Sequence, residues 1–178
     1  SGQAACRFLI EKGAVVTMND SKNKNELTEA FRNLADLKFE TDLGRHDPKV
    51  FTSHELIVLS PGVPANIDAV LEAKSAGIPV INDIELASYF IKTPIIGVTG
   101  TNGKTTTATL ISEMLIADGK RVFLGGNIGT PVLELLLKNQ EVDVVVLELS
   151  SFQLESIQSF KPTVTVVTNL EPNHLDRY

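Results

Sequence analysis

An α/β fold with parallel strands is what this sequence predicts, and three observations carry it. Short β-branched runs alternate with segments of helical apolar spacing along the chain, the pattern of strands joined by crossover helices. Residues 94–107, PIIGVTGTNGKTTT, pass from an apolar run through a glycine loop directly into a helical pattern. Residues 142–149, VDVVVLEL, form an unbroken β-branched run of the kind buried on both faces of a parallel sheet. Lys92, Thr93 and Pro94 interrupt the alternation. The expected organisation is therefore a Rossmann-like domain over residues 1–92, followed by the opening part of a P-loop α/β ATPase domain over residues 93–178.

With 178 residues and 43% hydrophobic content, the chain can bury one large core or two small ones. Its formal charge of −6 argues against nucleic-acid and anionic-membrane partners, so an anionic ligand has to be caught locally. Cys6 is the single cysteine, which excludes an intrachain disulfide and a thiolate cluster and suits a reducing, cytoplasmic setting. No apolar run reaches the length of a membrane span.

The elements follow in order. Residues 1–12 place Ala4, Ala5, Phe8 and Leu9 on one helical face, and Gly13 is suited to end that helix. A first helix of an α/β unit follows a strand and a glycine loop, so a strand is expected ahead of Ser1. Residues 14–18 read as a buried strand leading into Asn19, Asp20, Ser21 and Lys22. Nucleotide-binding α/β folds set an acid there against a ribose or base, and a plain polar turn fits equally well. A helix over residues 25–36, a short strand over 37–39 and a clearer strand over 55–59 come next. The last runs into Ser60, Pro61 and Gly62, a turn at the end of a strand where open sheets place their ligand crevice. A helix over 67–75, a strand over 79–81 and a short helix opened by Asp83 complete this half. His46 and His54 lie in polar loops and suggest no chemistry.

The glycine loop contains Gly100, Thr101, Asn102, Gly103, Lys104, Thr105 and Thr106. Its amides and the helix N-terminus suit a polyphosphate, Lys104 can reach β/γ oxygens, and the Thr105 hydroxyl can serve Mg²⁺. Its spacing departs from G-x-x-x-x-G-K-[ST], because Val98 holds the first glycine position. Beyond it, Leu110, Ile111, Met114 and Leu115 form a helical apolar stripe. A strand over 121–124 then leads to Gly125, Gly126, Asn127, Ile128 and Gly129, which permit close backbone approach to a ligand or a flexible turn. A helix over 131–138 returns to the strand over 142–149. Glu148 near its end is a carboxylate on an apolar strand; burial without a partner would be costly, so a cation is expected, with Mg²⁺ on ATP the hard-ligand case. Ser150, Ser151, Phe152, Gln153 and Glu155 open a loop or helix. A strand over 163–168 ends at TNLEPNHLD, where His174 suits either a structural or a metal or phosphate role.

Together, GVTGTNGKTTT, GGNIG, LELSSFQLE and TNLEPNHLD resemble the Mur ligases, ATP-dependent enzymes that form the amide bonds of the peptidoglycan stem peptide. The order and spacing agree across residues 94–178. ELSSFQLE and the NDIEL of residues 82–86 look most like members that add D-glutamate to UDP-N-acetylmuramoyl-L-alanine, and NDSK (19–22) and SPG (60–62) resemble their uridine-diphosphate-binding stretches. The resemblance implies that ATP phosphorylates the alanyl carboxylate and that the D-glutamate amine then displaces phosphate from the acyl phosphate. It implies that Lys104 and the loop amides neutralise the transferring phosphoryl group, that Thr105 and Glu148 hold Mg²⁺, and that His174 ligates a second metal. Asn127, Ser151 and Gln153 would face the substrate, with Ser1, Asp20, Ser21 and Ser60 around its uridine diphosphate. The same resemblance implies a carbamylated lysine beyond Tyr178 and a third domain closing over ATP. This chain is thus expected to be a fragment without turnover of its own, taken from a cytoplasmic, monomeric enzyme. Other ligases of the superfamily, such as folylpolyglutamate synthase, a P-loop switch ATPase and a nucleotide-binding module without chemistry remain alternatives at this point.

Overall fold

Parallel pairing governs every strand ladder in the computed structural model, which describes residues 1–172. The first half runs α1 (Gly2–Glu11), β1 (Thr17–Asp20), α2 (Thr28–Asn33), β2 (Glu40–Leu43), α3 (Pro48–Thr52), β3 (Ile57–Leu59), α4 (Asp68–Ser75), β4 (Val80–Asn82) and α5 (Asp83–Ser88). The second runs β5 (Ile95–Thr99), α6 (Lys104–Ala117), β6 (Val122–Gly126), α7 (Leu133–Leu137), β7 (Val144–Glu148), α8 (Ser151–Leu154) and β8 (Val164–Val167). No helix among the described residues is long and apolar enough to cross a membrane.

In the second half the sheet order is β6-β7-β5-β8. Side chains alternate across it. Ile95, Phe123, Val145 and Leu147 face a core completed by α1, α5 and α7, whereas Val98 and Val146 pack on Ala108 of α6. A register row through Val98, Glu148 and Gly126 brings three strand ends together, with the phosphate loop directly after β5. Parallel strands place all their carboxyl ends on one edge, which is what assembles the site. The first half contains two separate ladders, β1-β2 and β3-β4. The core around α1 and α5 is continuous with the β5–β7 face. Cys6 packs on the buried side of α1, and burial pushes its thiol pKa up.

Several expectations are corrected. The strand expected at residues 14–18 begins at Thr17, and Val15 is 84% exposed, because its one ladder partner is β2 and their register starts at Thr17 opposite Glu40. The helix expected over 25–36 narrows to α2. Asn23 draws the amides of Asn25 and Glu26 onto its own side chain, a local turn that competes with the helix. The strand expected at 37–39 lies at β2. Between β2 and β3 stands the unanticipated α3, with Asp47 accepting from the Lys49 amide and Pro48 at its start. In α6, Ile111 and Leu115 pack on the sheet, but Leu110 is 58% and Met114 65% exposed. The buried line of this helix passes instead through the small residues Ala108 and Ser112, which let its axis approach the sheet closely.

Candidate phosphate-loop site

At the end of β5, the Thr99 hydroxyl donates to the Leu149 carbonyl at 2.9 Å and fixes the chain where the loop begins. Gly100 takes a φ of +133°, and a Cβ there would collide with the Thr168 hydroxyl and the Asn169 backbone. Gly103, at φ +79°, turns the chain into α6. The first helical bond at this end joins the Thr107 amide to the Gly103 carbonyl at 3.0 Å. The amides ahead of Thr107 therefore lack an intrahelical acceptor, the condition under which a helix N-terminus can take an anion. Lys104 folds over the loop, its Nζ donating to the carbonyls of Gly100 at 2.8 Å and Thr101 at 2.9 Å. Thr106 is exposed on the first turn.

Three expected site residues from separate segments meet beneath this loop. The Thr105 hydroxyl donates to Glu148 Oε2 at 2.8 Å, and Asn127 Nδ2 donates to Glu148 Oε1 at 2.9 Å. The Asn127 amide also donates to the Glu148 carbonyl at 2.8 Å. Such close approach needs Gly126, at φ +107°, because a Cβ there would strike the Glu148 carbonyl. Glu148 is 3% exposed and forms no ion pair among the described residues. Its two partners are neutral, so the charge of the carboxylate is held but not cancelled. A hydroxyl and a carboxylate side by side form a hard oxygen donor set that fits Mg²⁺. No group of three or more His, Cys, Asp or Glu residues suited to a metal occurs among the described residues. His174 lies outside the described residues.

The loop tip is tied to the segment after β8. The Thr101 amide donates to the Asn169 carbonyl at 3.0 Å and the Asn102 amide to Asn169 Oδ1 at 2.9 Å. The Asn102 carbonyl accepts from the Thr168 hydroxyl at 2.6 Å and from Asn169 Nδ2 at 3.0 Å. Glu171 adds bonds to Thr101 and Asn102. Thr168, Asn169 and Glu171 lie in the TNLEPNHLD stretch that carries the resemblance, although the sequence assigns none of them a role of its own.

Ser151 is exposed at the first position of α8, while Ser150 and Gln153 form a capping box. Gln153 is buried; its Oε1 accepts from the Ser150 amide at 3.1 Å, and its Nε2 has no partner among the described residues. In the first half, Ser60 follows β3 and lies against Gly2, where an added Cβ would stand 3.0 Å from the Ser60 hydroxyl. Ser1 hydrogen-bonds buried Asp83, whose pKa burial raises and that bond opposes. Asp20 closes a turn by accepting from the Lys22 amide at 2.9 Å, with Ser21 exposed beside it. No hydrogen bond joins Asp20 or Ser21 to Ser1 or Ser60 among the described residues. A cleft of about 640 Å³ runs between β1 and β3, and Asn19, Gly2 and Ser60 contribute to its wall. The two histidines brace β1: His46 bonds Asn19, and His54 Nε2 bonds the Thr17 hydroxyl at 2.9 Å.

Beside Glu148 and Asp83, a third carboxylate is buried. Glu85 of α5 accepts from Tyr89 Oη at 2.8 Å, the Ser159 hydroxyl at 2.6 Å, and the amides of Gln158, Ser159 and Phe160 at 3.0, 2.9 and 2.9 Å. Burial acts to raise its pKa, but bonds from Ser159, the Gln158 and Phe160 amides and Tyr89 outweigh that and bring it to about 2. Asn82 caps the same helix by accepting from the Glu85 amide at 2.9 Å, and its Nδ2 donates to the Gln153 carbonyl. The signal was an acid amid the apolar residues of DIELAS, which cannot be buried without donors.

Family models match in two places: a Mur ligase MurD-like N-terminal domain over residues 1–82 and a Mur ligase middle domain over residues 98–178. Over all 178 residues, the chain is 51% identical to the UDP-N-acetylmuramoylalanine--D-glutamate ligase of Geotalea daltonii and 49% identical to that of Citrifermentans bemidjiense. It spans 39% of the length of each of these curated relatives. Among solved structures, it resembles the UDP-N-acetylmuramate:L-alanyl-gamma-D-glutamyl-meso-diaminopimelate ligase from Neisseria meningitides with a TM-score of 0.58 at 20% identity, over 99% of this chain and 59% of that one. The UDP-N-acetylmuramate-alanine ligase from Thermotoga maritima gives 0.51 at 23%, over 98% and 40%. At those identities the likeness is one of fold. With both halves matched by models of one family and half of all positions identical to named members, the chain belongs to the Mur ligases.

Proposed function

We propose that the whole protein to which this chain belongs is an ATP-dependent ligase joining D-glutamate to UDP-N-acetylmuramoyl-L-alanine, a cytoplasmic step of peptidoglycan precursor synthesis carried out by a monomer. The observation that carries this reading is the convergence of Thr105, Asn127 and Glu148 beneath a phosphate loop, in a chain half identical to relatives bearing that name. In this reading the residues divide at about residue 92, with the UDP-sugar held by the first domain and ATP by the second.

Polyphosphate oxygens take the open amides ahead of Thr107, and Lys104 leaves the carbonyls of Gly100 and Thr101 to reach the β/γ oxygens. Gly100, Thr101, Asn102, Gly103 and Thr106 complete the loop around it. Thr105 and Glu148 would hold Mg²⁺, which when bound neutralises charge on the phosphate oxygens. An oxygen of the alanyl carboxylate attacks the γ-phosphorus, the bond to the bridging oxygen breaks, and ADP leaves. The amine of D-glutamate then attacks the acyl carbon; the C–O bond breaks with its electron pair on departing phosphate, and the amine proton is lost. Asn127, Ser151 and Gln153 position the substrate, the last through its unpartnered Nε2. Ser1, Asp20, Ser21 and Ser60 surround the uridine diphosphate, and His174 is assigned to a second metal.

Phosphate release by the whole protein, supplied with ATP and Mg²⁺, tests the reading. It is expected only when UDP-N-acetylmuramoyl-L-alanine and D-glutamate are both present. ATP consumption indifferent to both, or activity with another amino acid and none with D-glutamate, would overturn it.

A further inference from the structure

We infer that Asn169 is a positioning residue for the nucleotide, pinning the tip of the phosphate loop so that the α6 amides ahead of Thr107 are the groups left open to the polyphosphate. The inference rests on the ATP reading above and adds a residue to it. Asn169 uses both of its oxygens on consecutive loop amides, its carbonyl on Thr101 and its Oδ1 on Asn102, and returns a bond from Nδ2 to the Asn102 carbonyl. The Thr168 hydroxyl bonds the same carbonyl. Asn102 is exposed, yet its amide and carbonyl are both satisfied by protein rather than left to water. Gly100 supplies an independent observation: the Thr168 hydroxyl and the Asn169 backbone pass so close that any side chain at position 100 would collide with them. Loop and clamp therefore fit one another at both ends of the tip.

A glycine-containing loop that is free in solution loses conformational freedom when it closes on a ligand. Holding Thr101 and Asn102 in place beforehand removes part of that loss, so the clamp favours binding. The opposite sign is also physically definite. If the Asn169 side chain stood where phosphate oxygens must go, removing it would tighten nucleotide binding.

Isothermal titration of ATP and ADP into the whole protein decides between these, with melting temperature and the KM of each substrate measured alongside. Asn169→Ala is expected to weaken both nucleotides roughly tenfold, with the KM for the UDP-sugar and for D-glutamate and the melting temperature unchanged. Thr168→Val removes the hydroxyl's contacts with the Asn102 and Thr99 carbonyls at constant shape and is expected to weaken nucleotides by a smaller factor, about two- to fivefold, while Thr168→Ser retains wild-type affinity; this pair decides if Asn169→Ala does not fold. Unchanged or tighter nucleotide binding in Asn169→Ala and Thr168→Val overturns the inference, as does a uniform rise in all three KM values with a lower melting temperature. A whole protein that binds no ATP before any substitution overturns the proposed function itself, and the inference with it.

Discussion

Glu85 and Glu148 are both removed from water, at 0% and 3% exposure, but their surroundings are opposite in kind. Glu85 accepts five hydrogen bonds, three from main-chain amides, against the roughly four lone-pair sites of a carboxylate. Glu148 receives one side-chain donor on each oxygen and sits under the open end of a phosphate loop. A saturated carboxylate has nothing left to offer a ligand and acts as a joint between α5 and the segment entering β8. An undersatisfied one retains lone pairs at the place where a polyphosphate would arrive. Burial alone does not separate the two cases; the number and kind of donors does.

The largest expected effect strikes the undersatisfied partner. Glu148→Gln keeps the shape and the bonds to Thr105 or Asn127 but removes the negative charge proposed to hold Mg²⁺. Steady-state turnover of the whole protein should fall by about a thousandfold or more, with an unchanged urea midpoint. A loss of stability instead would place Glu148 in the same class as Glu85. Glu85→Gln should do the reverse. It turns an amide NH₂ against main-chain donors and should cost about 3 kcal/mol of folding stability, read as a lower urea midpoint, while the folded fraction keeps its nucleotide affinity.

Acid should sharpen the same contrast. The Glu85 carboxyl lies at about 2 in the folded protein against 4.5 for an ordinary glutamate. Its contribution to stability is complete above about pH 4.5 and is lost as pH falls towards 2. Asp83 runs the other way: burial raises its pKa, so its ionisation costs stability as pH rises above the ordinary 3.8. Urea titrations between about pH 5 and pH 2 should show a steep acid limb in the parent protein and a shallower one in Glu85→Gln. The smallest effect is expected at Arg121, which pairs in the open with Glu141 at 2.9 Å and Asp143 at 2.9 Å. Arg121→Ala should leave the urea midpoint and nucleotide affinity within experimental scatter, because water and salt screen exposed pairs.

The legible parts of this molecule are those governed by short stretches of chain. The glycine loop, the β-branched strands and the acid near the end of β7 are each encoded within a few residues, and parallel pairing then aligns their ends without further information. That is why Thr105, Asn127 and Glu148 could be named before they were seen to touch. Partners distant in sequence left no such trace. Four of the five donors to Glu85 lie 73 to 75 residues downstream, and the Asn169 side chain reaches Asn102 across 67 residues. Local competition hid other features, as where Asn23 shortens α2, and the exposure of Leu110 and Met114 depended on how closely Ala108 and Ser112 let α6 approach. In the first half, Ser60 lies against Gly2 and Ser1 bonds Asp83, whereas Asp20 and Ser21 stay with the end of β1.

The claim that Glu148 reserves its lone pairs for a metal is tested most directly by ATP affinity with and without Mg²⁺, in the whole protein and in its Glu148→Gln variant. The parent should bind ATP more tightly when Mg²⁺ is added, and the variant should bind with the metal-free affinity under both conditions. An equal gain from Mg²⁺ in both proteins would contradict the assignment.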